Sequence, residues 1–275
     1  MEVMLSDILA RLWRVRFTVG YVAALFAMST AMLIIDPREH DQLIRHASTN
    51  LHNLSHGRLG TLLGSAFVVE AGPLYFWLPF LTCLLLLAEL HLRTIRLIVA
   101  FMVGHVGATL LVAAALAVSV KMGWMPWSIT RVSDVGMSYG ALAALGALTA
   151  TIPRRWRAAW IAWWMSVSLA AAIVGGEFTN AGHALALMLG VLVSLRFRGP
   201  IHWTPVRCVL LVGSIGFGFL LLAHSMWGMA AGMSFGLLGA SAAYFTARRF
   251  TREVQRDAVP EDAETRPLPA LSGSA

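Results

Sequence analysis

The chain has 275 residues, of which 58% are hydrophobic and 13% charged, and its mean hydropathy is +0.71. A soluble globular domain carries about 25% charged residues, so this composition excludes one and indicates a polytopic membrane protein. The net charge of +7 would suit nucleic acid, but the arginines stand in short clusters between apolar runs, where orientation signals belong; no nucleic-acid partner is expected.

A helix needs about 20 apolar residues to cross a bilayer, within a range of about 17 to 25. On that ruler eight candidate spans follow one another, at about 17–35, 73–90, 96–120, 136–152, 157–175, 181–196, 207–223 and 227–247. Only the polar break at His224-Ser225 divides the last two, so the count is seven or eight. Such Ala- and Leu-rich runs satisfy their backbone in lipid as helices. The first run lacks a small-residue cleavage site and reads as a span rather than a leader. Between the first two spans, Asp36 to Pro73 is too polar to cross and too apolar for a free loop; it fits a segment lying at the interface. The tail from Thr251, rich in charge, Pro and small residues, is expected to be disordered. Cys83 and Cys208 show no metal spacing and read as small hydrophobes. The ten tryptophans fall mostly near span ends and read as interfacial anchors.

Orientation follows from the arginines. Arg11, Arg14 and Arg16 precede the first span, Arg93 and Arg96 separate the second from the third, and Arg154, Arg155 and Arg157 separate the fourth from the fifth. Arg196, Arg198 and Arg207 flank the sixth-to-seventh connection, and Arg248, Arg249 and Arg252 follow the last span. All fall on one side if both termini are cytoplasmic. Lys121 is the single lysine in an Arg- and Ala-rich chain, a composition that suggests a high-GC bacterial genome and hence the bacterial plasma (inner) membrane.

Polar residues inside spans are costly and are functional candidates by default. They are Ser138 at the outer end of span four, His183 at the outer end of span six, His105 within span three, and Glu70 and Glu89 flanking span two. Spans four and six both enter from outside, so a hydroxyl and an imidazole lie at matching depth on mutually parallel helices. An imidazole within hydrogen-bond reach activates a serine as nucleophile. Glycines and a serine are also common on helix packing faces, and a second copy of the pattern, "GMSFGLLGAS" from Gly232 to Ser241, has no histidine-bearing span after it.

"DVGMSYGALAALGA" followed one span later by His183 resembles rhomboid intramembrane serine proteases. Gly136, Ser138 and Gly146 match that family's serine helix, and "GRLGTLLGSAF" (Gly57 to Phe67) looks like the start of its embedded first loop. "AELHLRTIRLIVAFMVGHVGATLL" (Ala88 to Leu111) looks like the end of its second helix and its third. The resemblance implies an all-α bundle: a cytoplasmic segment 1–16, a rhomboid-like six-helix core over 17–197, one or two additional C-terminal transmembrane helices over 198–250, and the tail 251–275. It further implies Ser138 as nucleophile and His183 as base, cleaving transmembrane protein substrates near the outer face, without a metal or cofactor. Gly136 and His105 support the oxyanion, and His224 is an alternative base. Three positions depart from the family. Tyr139 replaces its glycine after the serine, Leu142 replaces the aromatic it stacks on the histidine, and span two lacks its His and Asn. His105, or His52, Asn53 and His56 of the outer loop, would have to substitute. The alternative function is an inactive rhomboid-like protein that binds transmembrane segments.

Overall fold

The computed structural model describes residues 12–69, 71–133, 135–197 and 202–257 together with Ser6 and Ala10, without the side chains of 71–74 and 252–257. Arg11, Glu70, Arg198 and the tail beyond Asp257 lie outside the described residues, as does the side chain of Arg252. Within them all regular structure is helical. The long elements are α1 (Arg16–Ile34), α5 (Ala71–Leu92), α6 (Thr94–Lys121), α7 (Ser138–Ala147), α8 (Arg154–Gly175), α9 (Phe178–Ser194), α10 (Pro205–Leu222) and α11 (Met226–Asp257). Three short helices, α2 (Pro37–Ala47), α3 (Leu51–Ser55) and α4 (Thr61–Gly64), fill the segment between α1 and α5. Five helices are long and apolar enough to cross a bilayer, namely α1, α5, α6, α8 and α10, and α9 is a shorter apolar one. Side chains such as Phe26, Ile95, Ile173, Val209 and Leu238 are exposed on the bundle's flanks, where lipid, not water, is their favourable surrounding. The chain is a multi-pass membrane protein built as a helical bundle.

A helix stands at each of the eight expected places. The last two do separate: the chain breaks at Ala223–Ser225, and Ser225 Oγ accepts the Gly228 amide at 3.0 Å to start α11. Helix α11 continues past Thr251 to Asp257. No glycine or proline interrupts Thr251 to Asp257, and a helix already nucleated propagates through Arg, Glu and Gln at little cost. Trp13, Trp124, Trp127, Trp156 and Trp227 are exposed near helix ends as interfacial anchors would be, whereas Trp164 is core.

The core centres on α7. Every residue from Tyr139 to Ala147 is buried, as befits a helix that is apolar all round. Helices α6 and α9 flank it. Gly104 of α6 and Gly190 of α9 both abut Ala143, and a Cβ on either glycine would collide with it. Small residues at such crossings let backbones approach within van der Waals contact, which drives helix association in lipid. Helix α5 also packs on α7; α1 and α10 pack on α5, α8 on α9, and α11 on α8.

The arginine-rich end of the bundle is tied by two polar knots. Glu89 is buried, yet its carboxylate accepts the amides of Phe17 (3.1 Å) and Thr18 (2.8 Å) and the hydroxyls of Thr18 (2.7 Å) and Thr94 (2.7 Å). It thereby caps the start of α1, where amides lack helical partners and negative charge is favoured. Arg157 donates to the carbonyls of Ile152 (2.8 Å) and Ala150 (2.9 Å), satisfying the last turn of the 3-10 stretch Leu148–Thr151 that extends α7. Glu89 is thus structural.

At the opposite end, the segment after α1 folds back on the bundle. Asp36 caps α2 by accepting the Arg38 amide at 2.9 Å, with Pro37 at the first helical position. Ile44 packs with Met32 and Val68, and Tyr21 of α1 donates its hydroxyl to Ala66 O at 2.6 Å. Asn53 is buried and donates to Arg45 O and Ser48 O; its role here is to hold the segment together.

Candidate functional site

Ser138 is the first residue of α7 and is half-buried. The chain reaches it through Gly136, whose φ of +128° is a conformation that favours glycine. Nothing lies within 4 Å of where a Gly136 Cβ would sit, so backbone conformation rather than space requires the glycine. Its amide donates to Ser65 O at 2.9 Å. That amide is therefore engaged with the segment that carries Ser65. Helix α7 starts without a side-chain cap, and its first helical bond runs from the Ala141 amide to Met137 O at 3.0 Å.

His183 lies on α9, buried to 7% exposure. Tyr139 meets Gly182 and His183 near the arginine-poor end, while Gly146 abuts Leu187, Gly190 and Val191 deeper in the bundle. The two helices therefore run parallel, with the start of α7 level with His183. The ring in contact with the imidazole is that of Tyr139, edge-on at 5.4 Å between centroids and 79° between planes. A side chain at position 182 would collide with the Tyr139 phenol, so Gly182 admits the tyrosine that replaces the family's glycine. Among the described residues, neither ring nitrogen of His183 has a hydrogen-bond partner. The Ser138–His183 hydrogen bond is accordingly not made in this structure. Leu142, at the position of the missing aromatic, is fully buried.

His105 is buried on α6 and stacks on Phe101. Its Nε2 lies 3.1 Å from Ser65 Oγ, which lies 2.9 Å from Thr49 Oγ1. Thr49 Oγ1 in turn donates to Thr61 O at 2.7 Å. His105 thus reaches the serine turn through Ser65, whose carbonyl holds Gly136. Ser65 is the residue that sequence reasoning missed. It sits inside "GRLGTLLGSAF", where only its place beside the serine turn, a tertiary fact, sets it apart.

The other candidates scatter differently. His224 is exposed in the turn between α10 and α11. Three helices, α8 to α10, separate it in sequence from α7. His52 and His56 pair on exposed α3 with ring centroids 4.4 Å apart. Partial desolvation and the nearby charges of His56, Arg131 and Arg58 hold the His52 imidazole below its usual pKa. Cys83 is half-buried and Cys208 exposed, and both are free thiols.

A family model described as rhomboid-like protein matches residues 13–200, more than half of the chain. No curated protein and no solved structure matches it. The matched span takes in α1 to α9 and leaves α10 and α11 outside.

Proposed function

The chain belongs to the rhomboid-like proteins, and from that premise we propose that it is an intramembrane serine protease with Ser138 as nucleophile and His183 as general base. The observation that carries this reading is His183, a buried imidazole with neither nitrogen partnered among the described residues, touching the residue that follows Ser138. A buried polar group left unpaired costs about 1–3 kcal/mol, and such exceptions call for a reason, catalysis among them. A catalytic hydrogen bond that is open in the empty site tightens when substrate binds.

In this mechanism Ser138 Oγ attacks a peptide carbonyl in or beside a substrate's transmembrane segment as His183 takes the hydroxyl proton. The tetrahedral oxyanion forms at the uncapped start of α7, where the helix dipole favours negative charge. Collapse breaks the C–N bond, and His183 returns the proton to the leaving amine. Water then hydrolyses the acyl-enzyme, with His183 again as base. His105 and Ser65 position the serine turn through Gly136. The chemistry needs no cofactor. Arginine clusters at one end support cytoplasmic termini in a bacterial inner membrane, with Ser138 towards the outer face and transmembrane proteins as substrates.

The test is a fluorophosphonate probe on the purified full chain. Wild type labels; Ser138→Ala and His183→Ala do not; His224→Ala still does. Loss of labelling in His224→Ala with retention in His183→Ala would move the base to His224. A folded wild type that never labels would leave the binding of transmembrane segments without cleavage.

A further inference from the structure

The arginine-rich end carries a second site, away from Ser138. A cavity of about 550 Å³ lies between the start of α8 and the far part of α11, lined by Arg154, Arg155, Tyr244, Ala247, Arg248 and Thr251. Three guanidinium groups from two helices line one space, and among the described residues its lining carries no carboxylate. The start of α8 adds to the positive potential: its cap is Pro153, no side chain caps it, and its first turn holds no acidic residue. Cations at a helix N-terminus oppose its dipole, so an anion bound here would offset that repulsion. Arg157 is spent on carbonyls, whereas Arg155 stands over the ring of Trp156, which stacks on Tyr244 at 4.9 Å and 16°. Those aromatics fix the two helices where the cavity forms. On the same helix Phe245 and Phe250 are exposed to 60% and 68%, so α11 presents apolar side chains to lipid at the level of the cationic cavity.

We propose that the α8–α11 cavity binds the phosphate of an anionic phospholipid headgroup, with Arg154, Arg155 and Arg248 as its ligands and the acyl chains in the surrounding lipid along α11. Guanidinium forks match phosphate oxygens bidentately, and basic pockets between helices at a membrane's inner surface take anionic headgroups. The cavity's place at the end of helices with lipid-exposed apolar side chains is what favours a lipid over free phosphate. Because α11 lies outside the matched span 13–200, the site joins the family core to the added helices and holds independently of proteolysis.

Native mass spectrometry of the full chain in detergent tests this, with phosphatidylglycerol and phosphatidylcholine as probes. Wild type retains phosphatidylglycerol in preference. Arg248→Gln, at an exposed position, lowers retention about fivefold, and Arg154→Gln/Arg155→Gln/Arg248→Gln about a hundredfold. Arg249→Gln, outside the lining, leaves it unchanged, and unaltered gel-filtration profiles report that each variant is folded. Equal retention of both lipids, undiminished retention in the folded triple variant, an equal loss in Arg249→Gln, or displacement by millimolar inorganic phosphate would each overturn the assignment.

Discussion

The chain writes nearly the same pentapeptide twice, Gly-Met-Ser-Tyr-Gly from Gly136 and Gly-Met-Ser-Phe-Gly from Gly232, and the fold puts them to different uses. The second copy lies well inside α11, which begins at Met226. Its serine finds a helical carbonyl four residues back, donating to Ala230 O at 2.8 Å. Its glycines pack on neighbouring helices: Gly232 against Phe219 of α10 and Val167 of α8, and Gly236 against Val167 and Trp163 of α8. Phe235 points outward, 58% exposed. The first copy starts a helix. Gly136 breaks the backbone, Ser138 is the first helical residue, and Tyr139 turns inward onto Gly182 and His183. Where the helix begins, and which side chain the facing helix presents, decides whether the motif packs or stands at a site.

That contrast can be broken by paired substitutions. The largest effect is on reactivity: Ser138→Ala abolishes fluorophosphonate labelling and Ser234→Ala leaves it at wild-type level. Equal labelling of the two variants would show the copies to be equivalent. In thermal denaturation in micelles, Tyr139→Ala costs about 3–5 kcal/mol, since a buried aromatic is lost from the α7–α9 contact. Phe235→Ala, already facing lipid, costs under about 1 kcal/mol. The glycines sharpen the comparison. Gly140→Val drives a side chain into the ring of fully buried Phe101 and destabilises by about 3 kcal/mol, while Gly236→Val, against the edges of Val167 and Trp163, costs about 1–2 kcal/mol. His183→Leu stays within about 1 kcal/mol of wild type or is slightly stabilising, because it removes an imidazole that satisfies no hydrogen bond. Labelling is lost all the same. A large destabilisation by His183→Leu would mark that residue as structural, as Glu89 is.

Glu89 and His183 show how far such residues could be read in advance. Both are polar residues in apolar surroundings, and the sequence flags both equally. One carboxylate turned out to accept four hydrogen bonds at the start of α1, and one imidazole none. Nothing in their sequence neighbourhoods distinguishes them, since the partners of Glu89 come from residues 17, 18 and 94. Ser65 was hidden for the same reason: its neighbours His105, Thr49 and Gly136 lie on three separate segments.

By itself the sequence determined the helices, their order and the shared end of the arginines, because the bilayer demands continuous apolar runs and penalises charge within them. It also determined that a serine and a histidine open two parallel helices. Only the tertiary structure decided which faces meet. Helix α7 is apolar on every side, so no stripe in its sequence says that Tyr139, rather than Ser138, lies on the His183 ring. That choice came from the close approach of backbones at Gly104 and Gly190 against Ala143, which fixes the rotation of α7 between its neighbours.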